Sequence, residues 1–372
     1  MATLIAASSL RTCLGDGAGT FAALLDGRSG VGPLRHPLTG QLNVTAGYQI
    51  DEPAPDVALR AGTWLRECVD EALTRSAVDP ARSRVVALVG TGLRELAAVE
   101  ELAFSGTATN PSRLHFGPAV RDAAPGLAEV VTIANACSAG GHALALAQDL
   151  IETGEADAVV VGAADTMTAS MLAMIGKVTP EPTTQVRPFD RDRTGVLLGE
   201  GAAALVLVGE DWTGPAVGRL LATGLSCDAV HETAPDVDGI GRAMHDAWSR
   251  AERDPDEVNL VVAHGTGTAL NDPTECVALQ RCLPRPAAPL VTAVKGAIGH
   301  LSGAAALANL DVALRCLASG TVPPVVGLAN PLPEGDGLTF VRDARTQRDV
   351  TLAQVNAFGF GGVNAVTLVE AP

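Results

Sequence analysis

Val85-Val-Ala-Leu-Val-Gly-Thr-Gly-Leu93 and Leu260-Val-Val-Ala-His-Gly-Thr-Gly-Thr268 are two copies of one pattern. Each is a short apolar run that stops at Gly-Thr-Gly, the pattern of a buried strand leaving its sheet through a tight turn. On this alignment Glu100 falls opposite Glu275. Two further pairs follow in the same order. Cys137-Ser-Ala-Gly-Gly-His-Ala-Leu-Ala145 lines up with His300-Leu-Ser-Gly-Ala-Ala-Ala-Leu-Ala308, and Gly199-Glu-Gly-Ala-Ala-Ala-Leu-Val-Leu-Val208 with Gly359-Phe-Gly-Gly-Val-Asn-Ala-Val-Thr-Leu-Val369. Ordered self-similarity of this kind marks a duplicated unit. The halves divide around Asp211-Trp-Thr-Gly-Pro215, giving residues 1–212 and 213–372.

Each half alternates strands with helices. Arg84–Val89, Asp157–Val161, Ala203–Val208 and Leu260–Ala263 read as buried strands, and Leu144–Ile151 and Ala304–Leu314 as Ala/Leu helices. Alternation implies an α/β protein with helices packed on sheets. Helices this rich in Ala and Gly suit close packing between two sheets. The stretches 179–188 and 330–337 carry the Pro and charge of surface connections.

Composition narrows the partners. Hydrophobic residues make up 47% and charged residues 18%, enough for a large core. No apolar run reaches the ~20 residues that span a bilayer, and residues 1–7 do not resemble a secretory leader, so a cytoplasmic protein is expected. A net charge of −16 argues against nucleic acid and anionic membranes as partners. The seven cysteines are scattered, without the spacing of a metal site, and most are expected to be buried apolar thiols. Only two lysines, Lys177 and Lys295, stand against 24 arginines. A lysine kept in such a chain points to a place that needs a compact ammonium, and Lys295 is the candidate.

Four segments carry chemistry. In Val130-Val-Thr-Ile-Ala-Asn-Ala-Cys137-Ser-Ala-Gly-Gly-His142 a strand gives way to a small-residue turn and then a helix. Cys137 therefore sits at a helix N-terminus, where free N–H groups favour thiolate and could hold an oxyanion. The alternative for Cys137 is a buried structural thiol. His264-Gly-Thr266-Gly-Thr268 follows the same strand-and-turn pattern, with an acid/base group at the strand exit and hydroxyls beside it. Lys295-Gly-Ala-Ile-Gly-His300 precedes another Ala-rich helix. In the internal alignment His300 takes the place of Cys137. A pseudo-twofold relation between halves would then bring the two helix starts, and with them Cys137 and His300, together. Asn356-Ala-Phe358-Gly-Phe360-Gly-Gly holds two of the scarce aromatics beside turn glycines.

Together these segments resemble the β-ketoacyl synthases of the thiolase superfamily, in their elongating Cys-His-His class. Arg187-Pro-Phe-Asp-Arg-Asp-Arg193, Gly199-Glu-Gly201, Asp228–Ala234 and Gly27–Pro33 extend the likeness over nearly the whole chain. The resemblance implies a thiolase-like fold, with duplicated βαβαβαββ halves in an α-β-α-β-α sandwich. It implies that Cys137 accepts an acyl group from an acyl carrier protein. His264 and His300 would stabilise the enolate formed when a malonyl extender loses CO2, with Lys295, paired with Glu275, behind them. Backbone N–H groups of Cys137 and Phe360 would form the oxyanion hole, and Thr266 and Thr268 would contact the phosphopantetheine arm. Phe358 and Phe360 would lie on the gating loop, and His142 would be structural. No metal or redox cofactor is implied. A homodimer is the family default, and a heterodimer with a ketosynthase-like subunit is open.

The stretches 92–131 and 165–187 are shorter than the family usually shows, which favours specialised polyketide metabolism over fatty-acid synthesis. A degradative thiolase uses a second cysteine in a Gly-rich C-terminal motif, where this chain has Phe358-Gly-Phe360-Gly-Gly, and an initiating synthase has Asn in place of His300. A non-decarboxylating acyltransferase and a chain-length-factor-like partner subunit stay as alternatives on the same fold.

Overall fold

The computed structural model describes residues 3–36, 39–51, 59–178, 181–283, 289–343, 346–347 and 349–372. Its principal strands are β1 (Thr3–Thr12), β2 (Val85–Thr91), β3 (Glu129–Ala134), β4 (Ala158–Asp165), β5 (Gly201–Gly209), β6 (Gly218–Cys227), β7 (Leu260–Val262), β8 (Leu290–Thr292), β9 (Leu352–Gly359) and β10 (Val363–Glu370). They form one hydrogen-bonded path, β8-β7-β9-β10-β6-β1-β5-β4-β2-β3, with the short strand Thr339–Phe340 beyond β8.

The path is the same five-strand order written twice. In the first set β2 runs parallel to β3 and β4, while β5 is antiparallel to both β4 and β1. In the second, β7 runs parallel to β8 and β9, while β10 is antiparallel to both β9 and β6. Each set therefore orders its strands third, second, fourth, fifth, first. The two first strands join the sets where Thr3 pairs with Leu220.

Helices α1 (Arg60–Ser76), α2 (Ala139–Glu152), α3 (Val237–Ala251), α4 (Asn271–Cys282) and α5 (Ala305–Ser319) cover these sheets. Strand alternation decides which face each covers. Val85, Ala87 and Val89 bury against Trp64, Leu65 and Val69 of α1 on one outer face. Val261 and Val291 bury against Ile240 and Met244 of α3 and Leu279 of α4 on the other. The intervening residues Val86, Leu88, Leu260 and Val262 share one cluster with Leu144 of α2 and Leu307 and Leu310 of α5. So α2 and α5 form the middle layer, as the small-residue helices required. A Cβ on Gly140 would stand 3.1 Å from the Gly303 carbonyl oxygen, and one on Gly90 2.7 Å from the Ala139 carbonyl carbon. At that approach only glycine fits.

Both middle helices start from the same turn. Ala136–Ser138 precedes α2 and Ser302–Ala304 precedes α5, each a 3-10 turn. Ala136 and Ser302 share the left-handed backbone, both with φ of 49°. The counterpart of Cys137 is therefore Gly303, three residues beyond the aligned His300. Similarity among Ala, Gly and Ser carries too little side-chain information to fix that register. The Glu100–Glu275 equivalence also fails. Glu275 accepts from the His264 and Gly265 N–H groups at a strand exit. Glu100 lies on the helix Leu96–Ser105 and instead caps Ala169 and Ser170. No helix among the described residues is long and apolar enough to cross a membrane.

Candidate active site

The turn after β3 lifts Cys137 out of the strand line, half-buried at the head of α2. Across the interface between halves, His300 is anchored through backbone bonds with Leu197 and Gly199. Its Nε2 stands 3.1 Å from Cys137 Sγ. The pairing expected from the repeat is thus present, though His300 reaches the sulfur from upstream of its helix.

His264 leaves β7 beside them, with its ring centroid 5.4 Å from that of His300 at 85°. Lys295, buried in the turn Lys295–Ile298, places Nζ 3.3 Å from His264 Nδ1 and also donates to the His264 carbonyl oxygen. The Phe358 N–H donates to the same Nδ1 at 3.4 Å. Two donors on Nδ1 leave the ring proton on Nε2. Burial, reinforced by the Lys295 charge, pushes both imidazoles well below the usual histidine range. They are neutral at physiological pH.

The sulfur differs from expectation. Burial lifts the Cys137 thiol to about 11, against the lowering effects of Lys295 and of the Cys137 and Phe360 N–H groups. The helix start and lysine are too weak to offset desolvation, so the resting group is a thiol. Its proton has a nearby acceptor in His300 Nε2.

The second helix of the site, α4, supplies the scaffold. Glu275 accepts from His264 N and Gly265 N, both at 2.8 Å, and from Asn356 Nδ2 at 2.9 Å. It forms no ion pair with Lys295, contrary to the expected pairing, because both oxygens are committed to these donors. Burial lowers the Lys295 ammonium to about 8, with the Glu275 charge acting in the opposite direction. Asp272 accepts from Thr266 N at 3.0 Å, Gly267 N at 3.1 Å and Phe189 N at 2.7 Å. The hydroxyls of Thr266 and Thr268 lie 2.9 Å apart, bonded to each other.

Phe358 and Phe360 separate. Phe358 belongs to β9, buried, its ring 5.4 Å from that of His264. Only Phe360 lies on the turn, and it is 47% exposed. Alternation along an extended strand puts neighbours at i and i+2 on one face, so the separation arises where β9 ends at Gly359. His142 Nδ1 meets the Ser138 carbonyl at 3.1 Å within α2. Of the other cysteines, Cys68, Cys276 and Cys316 are buried, Cys13 and Cys282 partly so, and Cys227 is exposed.

One residue escaped the sequence reading. Asp165, buried at the end of β4, sits between the strand exits of the first half and the start of α5. Its only signal was an acid directly after the uncharged run Ala158–Ala164.

A cysteine at a helix start, faced by two neutral imidazoles and backed by a buried lysine on a duplicated α/β fold, defines a thiolase-like acyl-transfer protein. Residues 58–211 match the family description "Beta-ketoacyl synthase, N-terminal domain", and 217–329 match "Beta-ketoacyl synthase, C-terminal domain". The chain belongs to the β-ketoacyl synthase family.

The 3-oxoacyl-[acyl-carrier-protein] synthase 2 of Mycobacterium leprae is 30% identical over 93% of this chain and 90% of its own length. Nodulation protein E of Rhizobium leguminosarum bv. trifolii is 34% identical over 64% of this chain, a match spanning 60% of that protein. The match to the chloroplastic 3-oxoacyl-[acyl-carrier-protein] synthase I of Hordeum vulgare spans 54% of its length. Among solved structures, "The ishigamide ketosynthase/chain length factor" superposes with a TM-score of 0.90 at 27% identity, covering 100% of this chain and 99% of that one. A Burkholderia phymatum β-ketoacyl synthase shares the fold with a TM-score of 0.87 at 21% identity, covering 100% of this chain and 99% of that one.

Proposed function

We propose that the protein is a β-ketoacyl synthase that performs decarboxylative condensation of a Cys137-bound acyl chain with a malonyl group delivered on a carrier protein. The observation that carries this reading is the 3.1 Å contact between Cys137 Sγ and His300 Nε2, with His264 directing a second imidazole at the same space.

In the first step the Cys137 sulfur attacks the acyl thioester. Its proton passes by way of His300 to the leaving carrier thiol, and a new thioester forms as the old one breaks. In the second, the malonyl C–C bond breaks and CO2 leaves. The electron pair becomes an enolate whose oxygen accepts a hydrogen bond from the Nε2–H of His264. The enolate carbon then attacks the acyl-Cys137 carbonyl. The Cys137 and Phe360 N–H groups, already aimed at the sulfur, would hold the resulting oxyanion until the C–S bond breaks. These steps move electron pairs between the substrates' own bonds and the sulfur, so they require neither metal nor redox cofactor. Thr266 and Thr268 stand at the strand exit beside His264, suited to contact the pantetheine arm.

Incubation of the wild-type protein with an acyl-carrier thioester should add one acyl group by intact mass. Malonyl-carrier should then release CO2 and give a β-ketoacyl product. Acylation without CO2 release would turn the assignment to a plain acyltransferase.

Lys295 adds a pH signature. With its ammonium held near 8 by burial, the positive charge behind His264 Nδ1 is present below that pH and lost above it. The decarboxylation rate should fall as pH rises through about 8. In Lys295→Met the rate should be low throughout and the alkaline limb absent. Initial rates across pH check this, and an identical limb in the variant would remove Lys295 from the explanation. Linkage gives stability the opposite trend. The unfolded chain binds the extra proton between about 8 and the usual 10.5, so stability rises over that window.

Two features support a second ketosynthase-like chain as partner. Strand β3 ends the sheet path, with Val130–Ile133 only partly buried along its free edge. Val99, Leu102 and Phe104 are exposed on the helix Leu96–Ser105. A second copy of this chain is the simplest occupant. The carrier protein is supported by the kinship with 3-oxoacyl-[acyl-carrier-protein] synthases. We place the protein in the cytoplasm, and the short stretches 92–131 and 165–187 favour specialised metabolism over fatty-acid synthesis.

A further inference from the structure

Because the halves repeat one topology, every feature of one can be compared with its counterpart in the other. Cys137 and Gly303 are counterparts, each following a left-handed residue at a helix start. The Cys137 N–H points at the reactive sulfur. The Gly303 N–H donates to Asp165 Oδ2 at 2.7 Å. The same carboxylate accepts from Gly92 N at 2.8 Å, Leu93 N at 2.9 Å and Thr91 Oγ1 at 2.7 Å. Four donors from two halves thus converge on one side chain that is 1% exposed. At the equivalent helix start of the second half, a protein carboxylate occupies the place that a reaction oxyanion would occupy at Cys137.

We propose that Asp165 is a positioning residue, which locks the start of α5 to the exit of β2 and so fixes His300 against Cys137. The geometry for this is short. Gly303 follows His300 by three residues in one backbone turn, and His300 has no other element between it and Cys137. The room is tight as well. A Cβ on Gly303 would stand 2.5 Å from the Thr91 backbone, and one on Gly92 2.3 Å from Ser302 Oγ. Losing the latch would let these turns separate.

The same carboxylate has an electrostatic consequence. Burial raises the Cys137 thiol most and Asp165 adds to it, while Lys295 and the Cys137 and Phe360 N–H groups act against both. Asp165 itself is raised to about 6 by burial, so it is ionised at working pH. This inference takes Cys137 as the nucleophile from the reading above, but its first readout needs no substrate.

Asp165→Asn keeps the shape and removes the charge. Alkylation of Cys137 by iodoacetamide at pH 8, followed by peptide mass, should become about threefold faster or more as the thiolate fraction rises. The kcat for condensation should fall about tenfold or more, because an amide nitrogen cannot accept from two of the four donors. Unchanged kcat in a folded variant overturns the proposal, whatever the alkylation rate. A lowered kcat with unchanged alkylation leaves Asp165 a purely structural residue and overturns it too. Should Asp165→Asn fail to fold, Thr91→Val decides. It removes one donor and keeps the charge, so kcat should fall while alkylation stays at the wild-type rate. Wild-type kcat in that variant sinks the latch. If wild type itself shows no condensation, the functional reading fails, and the alkylation rate still tests the charge of Asp165.

Discussion

Cys137→Ala is expected to fold like wild type and to take up no acyl group from a carrier thioester, a loss of at least about 10³-fold in acyl transfer. The side chain is half-buried, contacts His300 Nε2, and is flanked by Ala136 and Ser138. Alanine at this point removes only the sulfur and leaves the turn, whose left-handed residue is Ala136, undisturbed. Intact mass after incubation with acyl-carrier reads the result directly. Acylation of the variant at wild-type yield would place the nucleophile elsewhere, and the exposed Cys227 would be the first residue to examine.

The second large effect concerns His264. Donors on Nδ1 from Lys295 and Phe358 hold its Nε2–H toward the space beside Cys137. Removal of one preorganised donor to a developing oxyanion costs about 10²–10³-fold, or about 2.7–4 kcal/mol. His264→Ala should therefore release CO2 from malonyl-carrier at least about 100-fold more slowly, while single acylation of Cys137 continues. That split distinguishes the two imidazoles. His300→Ala should slow acylation as well, because His300 is the imidazole in contact with the sulfur. Equal loss of both steps in His264→Ala would show that the histidine supports the whole site rather than the decarboxylation.

Much of this was legible in the sequence, for identifiable reasons. Gly-Thr-Gly after an apolar run marks a strand exit whatever the tertiary context, so the duplication and the places of Cys137, His264 and Lys295 could be read. Lys295 stood out because the chain almost never uses lysine, and the structure buries it at 1% exposure. What failed depended on information a sequence of small residues lacks. The left-handed positions are Ala136 and Ser302, not glycine, so the matching turns gave no signal and the alignment slipped by three. The expected Lys295–Glu275 pair failed because backbone N–H groups, invisible as letters, had already claimed the carboxylate. Thiolate at Cys137 failed because helix-end effects act over one turn while desolvation depends on everything packed around the sulfur. Asp165 was missed since an acid after a strand reads as a solvated loop end until the other half of the molecule is in place.

The middle layer has a consequence for how such a site can change. Sulfur comes from the first copy of the unit, while both imidazoles and the ammonium come from the second, so neither copy holds a working centre. One substitution at the seam, such as a side chain in place of Gly140 or Gly303, would alter the spacing between reagents without touching any of them. Reactivity in this chain is a property of the seam's width, and the glycines that set it are as much its determinants as the residues that exchange protons.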